Sequence, residues 1–84
     1  DLNSNLVLYP NPVEDQLTFR LSFLSSDYYN IDVVDLYGRK LISQNIYLDR
    51  DSYRYINVSS LDPGLYILNI SNKDKVINRR FVKE

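Results

Sequence analysis

Apolar and polar residues alternate without a fault over residues 16–23. Leu17, Phe19, Leu21 and Phe23 point one way, and Gln16, Thr18, Arg20 and Ser22 point the other. A period of two is that of a strand with one face buried. The same reading runs along the whole chain. Residues 6–9 form a short apolar strand stopped by Pro10-Asn11-Pro12, where two prolines remove two backbone donors and suit a sheet edge or a crossing between sheets. Residues 29–36 carry Ile31 and Val33 on one face. Asp35-Leu36-Tyr37-Gly38 fits a type I turn followed by a glycine at positive φ, the three-residue hairpin with a bulge. Residues 39–47 then return antiparallel, burying some of Leu41, Ile42 and Ile46.

Residues 53–58 place Ile56 and Val58 opposite Tyr53, Tyr55 and Asn57. The most hydrophobic run follows a Pro-Gly pair, at Pro63-Gly64-Leu65-Tyr66-Ile67-Leu68-Asn69-Ile70. Proline pre-sets φ for the second position of a turn and glycine takes positive φ at the third, so residues 62–65 read as a type II turn. The run behind it is short, aromatic and β-branched, and reads as a central strand buried on both faces. A last strand, residues 75–83, holds Ile77, Phe81 and Val82. Seven strands with regularly spaced turns predict an all-β fold: a two-sheet antiparallel β-sandwich, immunoglobulin-like, over residues 6–84. The polar residues 1–5 read as a linker.

Composition narrows the chemistry. Val, Ile, Phe and Tyr are plentiful, while Ala and Met are absent, which favours pleated surfaces over helices. With Cys 0 and His 0 there is no disulfide, no thiolate, no imidazole ligand and no imidazole base. Ser and Thr therefore lack the partner that a catalytic triad requires. A formal net charge of −1 gives no reason to expect nucleic acid. No apolar run approaches the roughly 20 residues of a membrane helix. With no signal peptide and no initiator Met, the chain reads as a piece of something longer.

Three carboxylate pairs stand out: Glu14 with Asp15, Asp32 with Asp35, and Asp49 with Asp51. A glycosidase needs such a pair across a cleft, and a domain this small has little room to enclose one, so solvated turns are the plainer reading. Asp49-x-Asp51-Ser52 offers only part of the oxygen set that calcium needs. No catalytic residue, cofactor or metal site is assigned, and the chain is not read as an enzyme. Tyr28, Tyr47, Tyr53 and Tyr55 are expected to be partly exposed, either pairing across strands or contacting a sugar or protein. Residues 73–84 carry five basic side chains against two acidic ones, which reads either as a charged edge strand or as a basic tail recognised by a partner.

Two resemblances follow. Leu61-x-Pro63-Gly64-x-Tyr66-x-Leu68-x-Ile70 resembles the corner and following strand of a fibronectin type III domain, in which a tyrosine hydroxyl bonds back to the backbone. This likeness covers about ten residues. The usual spacing sets the tyrosine one residue further on, and the core Trp of that family is missing. It supports, as an alternative, an accessory module that binds carbohydrate or protein.

The second resemblance spans nearly the whole chain. It is carried by Tyr9-Pro10-Asn11-Pro12-Val13, by Val33-Val34-Asp35-Leu36-Tyr37-Gly38-Arg39, by Ile56-Asn57-Val58-Ser59-Ser60-Leu61 leading to Pro63-Gly64-Leu65-Tyr66-Ile67-Leu68, and by Arg79-Arg80-Phe81-Val82-Lys83. In this order and spacing the motifs resemble the C-terminal sorting domain of the type IX (Por) secretion system of Bacteroidota. The resemblance implies a β-sandwich that ends a larger secreted cargo, folds in the periplasm and is recognised by the outer-membrane translocon. It further implies a sortase-like surface protease that in many cases removes the domain, with cleavage in or before residues 1–5. The cargo is then joined to an anionic lipopolysaccharide at the cell surface or released. Its motif positions here are Tyr9, Pro10, Asn11, Pro12, Gly38, Pro63, Gly64 and Tyr66. Arg79, Arg80, Phe81, Val82 and Lys83 are the expected translocon contacts.

Overall fold

The structure, a computed structural model, describes residues 6–22, 25–49 and 53–84. The expected linker 1–5, Phe23, and Asp51 and Ser52 of the acidic turn lie outside the described residues. Seven strands follow in order: β1 (Leu6–Tyr9), β2 (Gln16–Leu21), β3 (Asp27–Val34), β4 (Lys40–Leu48), β5 (Tyr53–Asn57), β6 (Gly64–Ser71) and β7 (Val76–Lys83). They form two sheets, one of three strands in the order β1-β2-β5 and one of four in the order β4-β3-β6-β7. Every pairing within them is antiparallel. The fold is the two-sheet β-sandwich that the alternation predicts.

The inward residues of both sheets make one core. Leu17, Phe19 and Leu21 of β2 face Tyr29, Ile31 and Val33 of β3 and Leu68 and Ile70 of β6, with Ile56, Val58, Ile77 and Phe81 closing the sides. Full burial of an aliphatic or aromatic side chain contributes about 1.5–3 kcal/mol, so these positions carry the fold. Thr18 is buried although it faces outward, because the register sets it between Tyr9 of β1 and Tyr55 of β5.

Several local expectations change. β6 lies inside its sheet, as expected of a central strand, but it is not buried on both faces. Tyr66, Leu68 and Ile70 enter the core, while Leu65, Ile67 and Asn69 line the outer face of the sheet and are half-buried or exposed. Among the described residues no second layer covers that face, so an apolar residue there is shielded only by its neighbours across the strands. The expected type II turn over 62–65 is also displaced. The hydrogen-bonded turn lies four residues earlier, over residues 58–61, with Leu61 N–H donating to Val58 C=O at 3.0 Å. Gly64, with φ of 158°, is nearly extended and already pairs with Lys83 as the first residue of β6. β3 runs from Asp27 to Val34, starting and ending two residues before the expected 29–36. Val82 and Leu41 are exposed, Val82 because it falls on the outward phase of β7 and Leu41 because it is the extra residue of the β3–β4 bulge. The core takes Leu48 in their place.

Candidate functional site

The strand directions bring four separated segments to one end of the sandwich. β3 leaves the sheet at Val34, β6 enters at Gly64 and β7 finishes at Lys83, and the registers Val34↔Ile67 and Gly64↔Lys83 set these points side by side. In the other sheet, β1 ends and β2 begins at the same level, joined by residues 10–15. Tyr9, Pro10, Asn11, Pro12, Gly38, Pro63, Gly64, Tyr66 and the close of β7 therefore share one end of the molecule.

Residues 10–13 cross from one sheet to the other. Both the Tyr9–Pro10 and Asn11–Pro12 peptide bonds are cis. Asn11 then offers its Oδ1 to the N–H of Val82 at 2.9 Å. The N–H of Val13 donates to Val82 C=O and the N–H of Glu84 donates to Val13 C=O, each at 2.8 Å. Val13 thus forms a parallel bridge with Lys83, its side chain fully buried. Proline supplies no donor at positions 10 and 12, and Asn11 takes over as a side-chain acceptor. The segment forms a short extra lane along the edge of β7.

The β3–β4 hairpin is built on Asp35. Gly38 N–H donates to Asp35 C=O at 3.1 Å, and Gly38 has φ of 83°, the left-handed conformation that glycine adopts without steric cost. The turn is therefore the expected one. Asp35 Oδ1 accepts from the N–H groups of Tyr37 (2.9 Å) and Arg39 (3.0 Å), and its Oδ2 accepts from Arg39 Nε (2.6 Å). Burial pushes the Asp35 pKa up, but the amide and guanidinium bonds of Arg39, the Tyr37 amide and the Arg39 charge outweigh it and hold the carboxyl below its ordinary value. Arg39 also sits 5.6 Å from the centroid of the Tyr37 ring. The braced tip holds Leu36 and Tyr37 out in solvent.

Across a shallow depression lined by Asp35, Tyr37, Arg39, Leu61, Gly64 and Tyr66 lies the corner of β6. The Tyr66 hydroxyl donates back to Asp62 C=O at 2.5 Å, and its ring stacks on Phe81 of β7 with centroids 5.8 Å apart. The fibronectin-like corner bond is thus present with the shorter spacing. A second corner of the same kind stands at the opposite end of the sandwich, where the Tyr29 hydroxyl donates to Ser25 C=O at 2.8 Å. Burial and the charges of Asp27 and Asp74 raise the Tyr29 pKa, so its hydroxyl stays a donor.

The five expected contact residues of β7 divide between two faces. Phe81 is fully buried and Lys83 nearly so, its ammonium donating to Glu84 C=O at 2.8 Å. Arg79 shares their inward phase and is half-buried. Arg80 and Val82 face out and are exposed. Asp35, Arg39 and Val13 lie inside the quoted motifs but outside the motif positions named from the sequence, and the structure gives each a bonded place at this end. An aspartate four residues before an arginine, with glycine between them, was the available signal for the first two.

The carboxylates have other work. Asp32 accepts from Ser43 Oγ at 2.6 Å and lies 3.7 Å from Lys40 Nζ. Among the described residues no group of three or more Asp or Glu could hold a metal ion. Among the described residues no helix is long and apolar enough to cross a membrane. Tyr28 and Tyr47 meet edge to face directly across β3 and β4, as expected of a cross-strand pair. What this end offers is two exposed turns and a sheet edge, the parts of a recognition surface. A family model described as a secretion system C-terminal sorting domain matches residues 7–84. No curated protein matches the chain.

Proposed function

The chain belongs to the family of C-terminal sorting domains of the type IX secretion system, and we propose that its folded form is the address label read by the outer-membrane translocon. A type IX sorting signal implies a cargo domain upstream and export to the cell surface or extracellular space. The family is one of sorting signals and not of enzymes. In the proposed sequence, the domain folds in the periplasm, the translocon binds the end at which the motifs meet, and a sortase-like surface protease cuts in or before residues 1–5. The cargo then stays on the surface or is released.

One observation supports this reading above the others. Motifs spread over residues 9–83 meet at a single end, with Arg80, Val82, Tyr9 and the hairpin tip exposed there. The test is fusion of residues 1–84 to the C-terminus of a reporter in a Bacteroidota host, with the reporter expected at the cell surface. A reporter held in the periplasm on an intact, folded fusion overturns the proposal. Deleting residues 79–84 is a poor test of contact, because it also takes Phe81 from the core and the partners of Val13. Arg80→Glu is the sharper variant: it changes an exposed side chain, and export is expected to fall while the fold remains.

A further inference from the structure

β7 is an edge strand, and among the described residues the lane beside it is only half filled. Val82 turns its N–H to Asn11 and its C=O to Val13, and Glu84 turns its N–H to Val13. Along a strand, alternate residues direct their backbone groups to the same side. Asn78 and Arg80 therefore point their N–H and C=O into the same lane, while Ile77, Arg79 and Phe81 spend theirs on β6. Among the described residues, nothing bonds to the outward backbone groups of Asn78 and Arg80. Val13 demonstrates that the lane accepts an extended segment, bonded through its main chain.

We infer that this open stretch of β7 is a strand-addition site for an extended, acidic segment of the secretion machinery. The inference rests on reading the chain as a type IX sorting signal and supplies the contact mode for it. Main-chain bonds along an edge give affinity with little dependence on side chains, and the side chains flanking the edge give preference. Of the outward side chains along the open stretch, Val76, Asn78 and Arg80, the charged one is basic. Arg80 stands exposed on the outward face, and Lys73 and Lys75 precede the strand. An acidic side chain on the incoming segment gains a charge-assisted bond to Arg80. A charged edge also discourages unwanted pairing. For that protective role either sign of charge serves, so the two readings separate on Arg80→Glu.

The decisive variant is Asn78→Pro in the reporter fusion. It deletes an N–H that points into the lane and takes no ladder bond from β6. Asn78→Ala changes the same side chain and keeps the N–H. Surface reporter is expected to fall about tenfold for Asn78→Pro, the scale of one lost main-chain bond at an interface, and to hold for Asn78→Ala. Export of Asn78→Pro at the level of Asn78→Ala overturns the inference alone. A wild-type fusion that is never exported overturns the sorting reading and this inference with it. If Asn78→Pro does not fold, hydrogen exchange of the wild-type fusion decides. The Asn78 and Arg80 amides are expected to slow with solubilised outer membrane carrying the translocon, relative to membrane lacking it. Unchanged exchange overturns the inference.

Discussion

The side-chain oxygen of Asn11 accepts the amide hydrogen of Val82, 71 residues further along the chain, at 2.9 Å. Two segments that look independent in the sequence are thus one structural unit. Removing the acceptor with Asn11→Ala is expected to cost about 1 kcal/mol, a fall in melting temperature of roughly 4–8 °C for a domain of this size. Asn11→Asp keeps an acceptor and is expected to recover much of the loss. The Val82 amide is the local reporter: its exchange quickens in Asn11→Ala. Unchanged exchange at Val82 would show that the bond contributes nothing.

Gly38→Ala tests the hairpin. A Cβ there meets nothing within 4 Å, so crowding is not the issue and the cost lies in the backbone at φ of 83°. About 1–2 kcal/mol is expected for a residue with Cβ in this region. Chemical denaturation measures it directly.

Asp35 makes the same hairpin sensitive to acid. Its folded pKa is depressed below the ordinary carboxylate value. The stability it contributes is therefore complete above the unfolded pKa and is lost as pH falls through the folded one. The stability gap between wild type and Asp35→Asn is expected to stay constant from neutral pH down to about pH 5, and to close below about pH 4. A gap that does not vary over that range would refute the assignment.

The two tyrosine corners are expected to behave alike. Tyr29→Phe and Tyr66→Phe each delete one hydroxyl bonded to a carbonyl four residues back. Each is expected to cost about 1 kcal/mol. They lie at opposite ends of the sandwich without a shared partner, so the double variant is expected to cost the sum.

β6 supplies the sharpest contrast. Leu68→Ala opens a cavity in the core and is expected to cost about 2–5 kcal/mol. Ile67→Ala, one residue away on the outer face, is expected to cost about 1 kcal/mol. Equal losses would mean that the outer face is covered.

What the sequence made legible was what a strand encodes locally. The alternation of Leu17, Phe19 and Leu21 gives both the strand and its buried face, because a period of two belongs to no other element. Gly38 marks its turn because few other residues sit at positive φ. β6 was misjudged because Leu65, Ile67 and Leu68 look equally apolar, and hydrophobicity alone does not say which side of a strand another layer covers. The corner at Tyr29 went unseen since nothing in Ser25-Ser26-Asp27 distinguishes a carbonyl acceptor from any other. The lane of Asn11 and Val13 beside β7 was out of reach for a different reason. It is a contact between distant segments, and no local pattern encodes it.

The bridge between Val13 and Lys83 also makes the fold a check on the integrity of the polypeptide. A chain cut within residues 76–80 leaves the Val13 amide without its acceptor, strips pairing from one side of β6 and empties the place of Phe81. Contacts of such sequence separation carry a loop-closure cost that is offset only when both partners are present. The end where the motifs meet is therefore assembled only by molecules that keep their last strand. A truncated product cannot display it, whatever else it folds.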